Sequence, residues 1–368
     1  MNTTAQRPIF LAAGGTGGHL YPALAVYREL KAQGFAAKLI SDERGLRFAD
    51  GFDPDDIFTV PSGGLVSGSP LKRLSGLVKL VQGWLACRKL LREHGAAGVV
   101  GLGGYGSVPP IFAASQMNVP SLLYQGDAVL GRANAFVSGR VAKLCLSFPQ
   151  TAKVPAAAAD KIEVVGAPMR AEIEALNALE YAGPSGKIKV LCVGGSLGAK
   201  AFASLLPKTC ENLGAEKCAK LQIVQQITDP EDKAVVAKRY AALGLEAELL
   251  DYVHDMDQRL ADCDLIIARS GGTTVHESAA AGRASIFIPL GLHADAQQKH
   301  NAQYLHNAGA AWIVEQNDSA ASGLAEILRS ILDKPDTLAH KAAAGRTKAI
   351  LGAAKRIVEL AKQEFKLS

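Results

Sequence analysis

A short apolar segment runs into a glycine cluster and then into a helix, and this 368-residue chain does so once near its start and again past its middle. Ile9-Phe-Leu-Ala-Ala13 leads into Gly14-Gly15-Thr16-Gly17-Gly18-His19. Ile188-Lys-Val-Leu-Cys-Val193 leads into Gly194-Gly195-Ser196-Leu197-Gly198. Further apolar runs follow each one. Residues 38–41, 97–102 and 120–124 lie in the first half; 221–226, 248–253, 264–268 and 284–289 lie in the second. Helical stretches separate them. Strands alternating with helices mean parallel sheets joined by right-handed crossovers. The chain is therefore read as α/β, built from two Rossmann-like doubly wound domains. Its length fits two domains at ~150 residues each. The Ala-rich stretch 155–160 and the polar stretch 171–187 mark the change, which gives a first domain over 1–167 and a second over 168–349.

Glycine clusters at strand C-termini are where doubly wound folds bind ligands. Gly103-Gly104-Tyr105-Gly106-Ser107 and Gln125-Gly126-Asp127 add two more such loops to the first half. Neither half carries a dinucleotide fingerprint: reading from Gly15, the third glycine would fall on Leu20. There is no Gly-Lys-Ser/Thr of a P-loop either. Pro22 is expected to open the first helix, which runs to about Gln33 and ends at Gly34. His19 then sits at the lip of the loop, as a general base near a sugar acceptor or as a solvated or capping histidine.

The second-half stretch Ala268-Arg269-Ser270-Gly271-Gly272-Thr273-Thr274-Val275-His276-Glu277 reads as a strand, a tight turn and a helix N-terminus. Unpaired N–H groups in a first helical turn bind anions. Glu277, in the same helix, would repel a bare phosphate but suits the hydroxyls of an attached ribose. Nucleotide binding is the functional reading; compensation of the helix dipole by Glu277 is the bland one.

Composition narrows the partners. A formal charge of +5 suits anionic ligands or an anionic membrane surface, but no nucleic-acid motif accompanies it. Cys87, Cys145, Cys192, Cys210, Cys218 and Cys263 are scattered without metal-type spacing and read as small hydrophobes in a reducing compartment. The N-terminus has no signal-peptide core, and no run of about twenty apolar residues exists to span a membrane. In the helix expected over 69–93, Leu74, Val78, Val81 and Leu85 form the core stripe, while Leu77, Leu80 and Trp84 form a second apolar row. Lys72, Arg73, Lys79, Arg88 and Lys89 fringe them, the pattern of an interfacial helix on anionic lipid. The alternative is that another element covers the second row. An amphipathic closing helix is expected over about 352–366.

Taken in order, the motifs Gly14–His19 with Pro22 and Ala23, Gly103-Gly-Tyr105, Gly194–Ala199, Arg269-Ser-Gly271, Thr274–Gly282 and Asp295–Asn301 resemble the MurG family of bacterial glycosyltransferases, glycosyltransferase family 28. The resemblance implies a GT-B fold, two Rossmann-like domains facing across a cleft, with the final helix at about 350–368 returning to the first domain. It implies an inverting transfer of GlcNAc from UDP-GlcNAc to the MurNAc C4 hydroxyl of undecaprenyl-linked lipid I. The product is lipid II, made at the cytoplasmic face of the inner membrane with no cofactor and no metal.

Residue roles follow from the same resemblance. Thr16, Gly17 and Gly18 would line the cleft, with His19 as base or acceptor-positioning group. Arg170 and Ser196 would approach the diphosphate, and backbone at Val253 would meet uracil. Gly272, Thr273 and Thr274 would hold phosphate, Glu277 the ribose, and Gln297 and Gln298 the GlcNAc hydroxyls. Leu77, Leu80 and Trp84 fall where this family is thought to meet the membrane. The chain departs from the pattern at Tyr124-Gln125-Gly126-Asp127, where the family usually reads His-Glu-Gln-Asn, and at Leu197 in place of Gln. Asp127 is a second base candidate. A UDP-GlcNAc 2-epimerase, a transferase for another lipid acceptor and a non-enzymatic UDP-sugar sensor are the competing readings.

Overall fold

The computed structural model describes residues 7–63, 70–290 and 296–367. The chain divides into two compact units, Met1–Met169 with Gly352–Ser368, and Arg170–Leu351.

The first unit is a seven-stranded parallel sheet in the order β3-β2-β1-β4-β5-β6-β7. Its strands are β1 (Ile9–Ala12), β2 (Ala37–Ser41), β3 (Ile57–Thr59), β4 (Gly98–Gly101), β5 (Ser121–Gln125), β6 (Lys143–Leu146) and β7 (Ile162–Val164). Its helices are α1 (Gly17–Ala32), α2 (Pro70–Glu93), α3 (Val108–Gln116) and α4 (Arg132–Ser138). Both faces of the central strands are buried, which is why they read as continuous apolar runs. Ile9 and Leu11 pack under α1, with Leu20, Ala23 and Leu30. Phe10 and Ala12 face the other way, onto Cys87 and Leu91 of α2 and Ile111 and Ala114 of α3.

The second unit is a six-stranded parallel sheet in the order β10-β9-β8-β11-β12-β13. Its helices are α5 (Ala171–Ala175), α6 (Gly195–Leu213), α7 (Ala215–Cys218), α8 (Pro230–Ala242), α9 (Met256–Asp262), α10 (Gly272–Ala281), α11 (Gln297–His306), α12 (Ala320–Asp333) and α13 (Asp336–Arg346). The strands are β8 (Ile188–Val193), β9 (Leu221–Gln226), β10 (Glu246–Leu250), β11 (Leu265–Ala268), β12 (Ala284–Phe287) and β13 (Ala311–Ile313). α14 (Ala353–Phe365) belongs to the first unit. Its Ile357, Val358, Ala361 and Phe365 are buried in the core that α1 covers. Phe365 lies so tightly on β4 that a side chain at Gly98 would overlap its ring.

Three expectations are corrected. α1 begins at Gly17, so Pro22 lies inside the helix rather than opening it. The glycine run itself supplies the first turn, and the proline removes one later backbone bond. The run expected as a strand over 248–253 pairs only as far as Leu250, which leaves Val253 in the loop before α9. The third correction concerns α2. Gly76, Gly83, Cys87 and Leu91 are its buried row, with Leu80 and Trp84 half-buried beside them. A side chain at Gly83 would run into the Pro61 carbonyl, and one at Gly63 would lie 3.1 Å from the Gly76 Cα. The helix is thus seated through its smallest residues. Leu77, Val78, Val81 and Leu85 are left 45–53% exposed, so the expected core stripe is the free one. The side chains of Lys72, Arg73 and Leu74 lie outside the described residues.

Phe365→Ala is expected to destabilise the protein by about 3–5 kcal/mol, the usual cost of truncating a buried phenylalanine. Denaturant unfolding followed by circular dichroism measures it.

Candidate functional site

In each sheet the strand order reverses between two neighbours, β1 and β4 in one unit and β8 and β11 in the other. Loops leaving the C-terminal ends of such strands diverge and leave a crevice. All the glycine loops singled out in the sequence leave from these strands or from β5.

In the first unit, α1 opens at the loop after β1. Thr16 is its N-cap in extended conformation, and its hydroxyl makes no capping bond. The first described bonds into the turn come from the His19 and Leu20 N–H groups to the Thr16 carbonyl, at 3.1 and 3.3 Å. Gly17 and Gly18 precede them in the open first turn. His19 is not at a solvated lip. It is half-buried, and its ring lies on the Gly103-Gly104 backbone. A Cβ at Gly103 would stand 2.8 Å from His19 Nδ1, and one at Gly104 3.1 Å from Nε2. Both glycines have φ in the left-handed region, +102° and +73°. Burial lowers the His19 pKa; Asp127, a hydrogen bond with the Leu102 backbone and Asp42 oppose it without overcoming it. The imidazole is therefore neutral at pH 7. With one ring N–H on a carbonyl, its other nitrogen is a proton acceptor.

Sequence reasoning missed Asp42. It stands just past β2, is 4% exposed, and accepts from the Gly15 N–H at 3.0 Å. Its signal was weak: two adjacent acids, Asp42 and Glu43, follow an apolar strand with nothing to single out the first. Gln125 is structural here. Its amide donates to the Val129 carbonyl at 3.1 Å and accepts from Gly131 N–H at 3.2 Å and Asn134 Nδ2 at 2.8 Å. Asp127, two residues on, is half-buried and close enough to raise the basicity of His19.

In the second unit, α10 is anchored at one end and open at the other. Gly282 ends it at φ +57°, and Arg283 donates to the carbonyls of Ala281 and Gly282 as well as Cys263 and Ala261. At the start, Gly271 is the N-cap with no side-chain cap. Among the described residues the Val275 N–H is the first of this turn with a backbone partner, the Gly271 carbonyl at 3.1 Å, which leaves the N–H groups of Gly272, Thr273 and Thr274 at the open end of the helix. Glu277 lies in the second turn. Burial pushes its carboxyl up to about 7, against the pull of Arg170. The structure thus brings Arg170, the N-cap of α5, within electrostatic reach of Glu277.

The Ser270 hydroxyl donates to the Gln298 carbonyl at 2.7 Å, and Asn301 donates to the Ser270 carbonyl at 3.0 Å. The start of α11 is therefore lashed to the turn before α10. The Gln298 side-chain oxygen accepts the Leu290 N–H at 2.9 Å. Gln297 is half-buried beside it. Val253 is buried between the exposed Tyr252 and His254, whose rings meet edge-on at 4.8 Å. The Ser196 and Leu197 side chains, and Asp295, lie outside the described residues.

The N-terminal domain of glycosyltransferase family 28 matches residues 9–145, and its C-terminal domain matches residues 189–357. A protein of Rhodopseudomonas palustris is 40% identical over 96% of this chain and 94% of its own length. It is named UDP-N-acetylglucosamine–N-acetylmuramyl-(pentapeptide) pyrophosphoryl-undecaprenol N-acetylglucosamine transferase. The chain belongs to glycosyltransferase family 28. A Brucella canis protein with the same name is 37% identical over 99% of this chain and 98% of its own. The crystal structure of Acinetobacter baumannii MurG superposes with a TM-score of 0.77 at 27% identity, covering 97% of this chain and 99% of that one. The GT-B fold expected of family 28 is therefore present. A Listeria monocytogenes protein described as a UDP-N-acetylglucosamine 2-epimerase shares that fold at a TM-score of 0.64 and 15% identity, over 99% and 98% of the two chains.

Gly103→Ala is expected to push His19 off its backbone platform. The His19 resonance, followed by NMR against pH, then titrates closer to the ordinary value of about 6.5.

Proposed function

We propose that this family 28 chain transfers GlcNAc from UDP-GlcNAc to the MurNAc C4 hydroxyl of undecaprenyl-pyrophosphoryl-MurNAc-pentapeptide, forming lipid II and releasing UDP. The observation that carries the reading is the pairing of an uncapped α10 N-terminus with a half-buried carboxyl one turn behind it, whose pKa desolvation raises. A diphosphate meets N–H groups there and a ribose meets an acceptor. The full-length likeness to transferases of that name supports the substrate pair.

In this reading the second unit holds the donor. Gly272, Thr273 and Thr274, with Arg170 and Ser196, take the diphosphate; Glu277 takes the ribose hydroxyls; backbone at Val253 takes uracil; Gln297 and the NH2 of Gln298 take the sugar. The first unit handles the acceptor through Thr16, Gly17, Gly18 and His19, with Asp127 nearby. The acceptor oxygen attacks C1 while the bond to UDP breaks, which inverts the anomeric carbon. Neutral His19 takes the hydroxyl proton. Helix N–H groups and Arg170 stabilise the charge that develops on the departing UDP.

The free face of α2 fits an anionic membrane surface. Leu77, Val78, Val81 and Leu85 are exposed beside Lys79 and Lys89, and Arg88 stacks over Trp84 at 5.2 Å. Trp84 itself is tied down, donating to Gln116 at 2.9 Å. No helix among the described residues is long and apolar enough to cross a membrane, so contact through this face would be peripheral, on the cytoplasmic side of the inner membrane.

Transfer of labelled GlcNAc into the lipid phase tests the reaction; free UDP or UDP-ManNAc without labelled lipid would overturn it. Glu277→Ala is expected to weaken UDP binding, while His19→Ala spares it and lowers turnover by roughly 10²–10⁴-fold, as loss of a general base does. Affinity for UDP-GlcNAc should fall as pH drops below about 7, because Glu277 then gains a proton. The limit is about tenfold per pH unit, and Glu277→Gln should flatten the dependence in calorimetric titrations. Leu77→Glu with Leu85→Glu should cut binding to phosphatidylglycerol vesicles by about tenfold or more, read by co-sedimentation.

A further inference from the structure

The glycine loop that carries His19 is held by a side chain to which the chemistry above gives no part. We propose that Asp42 is a positioning residue for the transfer reaction: its carboxylate clamps the Gly14-Gly15 loop so that α1 delivers His19 onto the Gly103-Gly104 platform. The inference rests on the reading of His19 as the group that handles the acceptor proton.

Three segments meet on this one carboxylate. Oδ1 accepts from the N–H of Gly15 at 3.0 Å, after β1, and from the N–H of Gly45 at 2.9 Å, after β2. Oδ2 accepts from the Ser62 hydroxyl at 2.9 Å, after β3, and from Arg44 Nε and Nη2 at 3.2 and 2.7 Å. All these neighbours donate. That requires an ionised acid, and the donors outweigh burial to hold Asp42 below the ordinary aspartate range. The loop is also pressed into place sterically. A Cβ at Gly14 would stand 3.2 Å from the Asp42 carboxyl and 3.3 Å from the Gly106 Cα, so the Gly14 backbone is sandwiched between them. Gly15 then turns at φ +86°, Thr16 extends, and α1 starts at Gly17 with His19 in its first turn. From clamp to imidazole the path is four peptide links of backbone, Gly15 to His19, with no side-chain joint between them. The Arg44 pair covers much of the Asp42 charge, so placement rather than field is what Asp42 supplies to His19.

The test is a four-way cycle on the full chain: wild type, His19→Ala, Asp42→Ala and the double variant. Turnover is measured per folded molecule with UDP-GlcNAc and a lipid I analogue. Asp42→Ala is expected to lower kcat by on the order of tenfold to a hundredfold, the effect of a misplaced catalytic group, with KM for UDP-GlcNAc unchanged. In the His19→Ala background the same change should cost less than about twofold, since groups acting as a unit are non-additive. Asp42→Asn keeps an acceptor for Gly15 and Gly45 but turns an amide donor toward Ser62 and Arg44, so it should recover only part of kcat. If Asp42→Ala does not fold, Arg44→Ala with Ser62→Ala strips Oδ2 and takes its place in the cycle. Equal losses in both backgrounds would mean that Asp42 serves only the fold and would overturn the proposal. So would full kcat in Asp42→Ala while His19→Ala is impaired. Full turnover in His19→Ala would instead remove the His19 reading itself.

Discussion

Backbone packs against backbone at the C-terminal end of the first sheet, and the absence of side chains is what permits it. Gly14 lies against Gly106, whose own Cβ would stand 3.0 Å from the Gly14 N and Cα. A Cβ at Gly45 would stand 3.4 Å from the Gly14 Cα and would overlap the Ser41 hydroxyl. Ser107 knits the next layer. Its oxygen accepts the Gly103 N–H at 3.0 Å, and its proton serves the carbonyls of Ala12 and Gly103. Chains this close leave no slack, so the histidine seated on them keeps one place. The second unit reaches a similar stiffness with side chains instead: Arg283 fastens one end of α10, while Ser270 and Asn301 fasten the turn at the other.

The two half-buried titratable groups of the proposed chemistry are tuned in opposite directions by the same cause. Burial lowers the base form's affinity for protons at His19 and raises it at Glu277. Each shift favours the neutral species. Near neutral pH the first unit therefore holds an uncharged acceptor of protons. The second holds an acid close to its midpoint, with Arg170 as the counterweight that favours its ionised form.

Much of this was readable in the chain. Strands buried on both faces announce themselves as apolar runs, and the loops after β1, β4, β8 and β11 were marked by their glycines. The family and fold followed from the order of those motifs. What escaped has specific reasons. The seating of α2 was misread because Gly76, Gly83 and Cys87 bury little apolar area, so periodicity picked the bulkier row that solvent touches. Pro22 looked like a helix start because glycines seldom form a first turn. Asp42 was invisible because the donors that tie it to the glycine loop and to Ser62 come from segments that meet only in the folded sheet. That the Leu290 N–H takes the Gln298 oxygen escaped as well, because nothing in sequence pairs these two residues.

The placement of α14 has a consequence for how the protein is made. The second unit is a continuous stretch, Arg170–Leu351, whereas the first needs Gly352–Ser368 as well. The second unit is thus an insertion within the first. On a ribosome, β1 to β7 emerge early, but the face that Ile357, Val358, Ala361 and Phe365 cover stays bare until the final helix arrives. The later-synthesised unit can therefore finish folding before the earlier one. Until then the first unit exposes an apolar sheet face, the surface on which a holding chaperone would act.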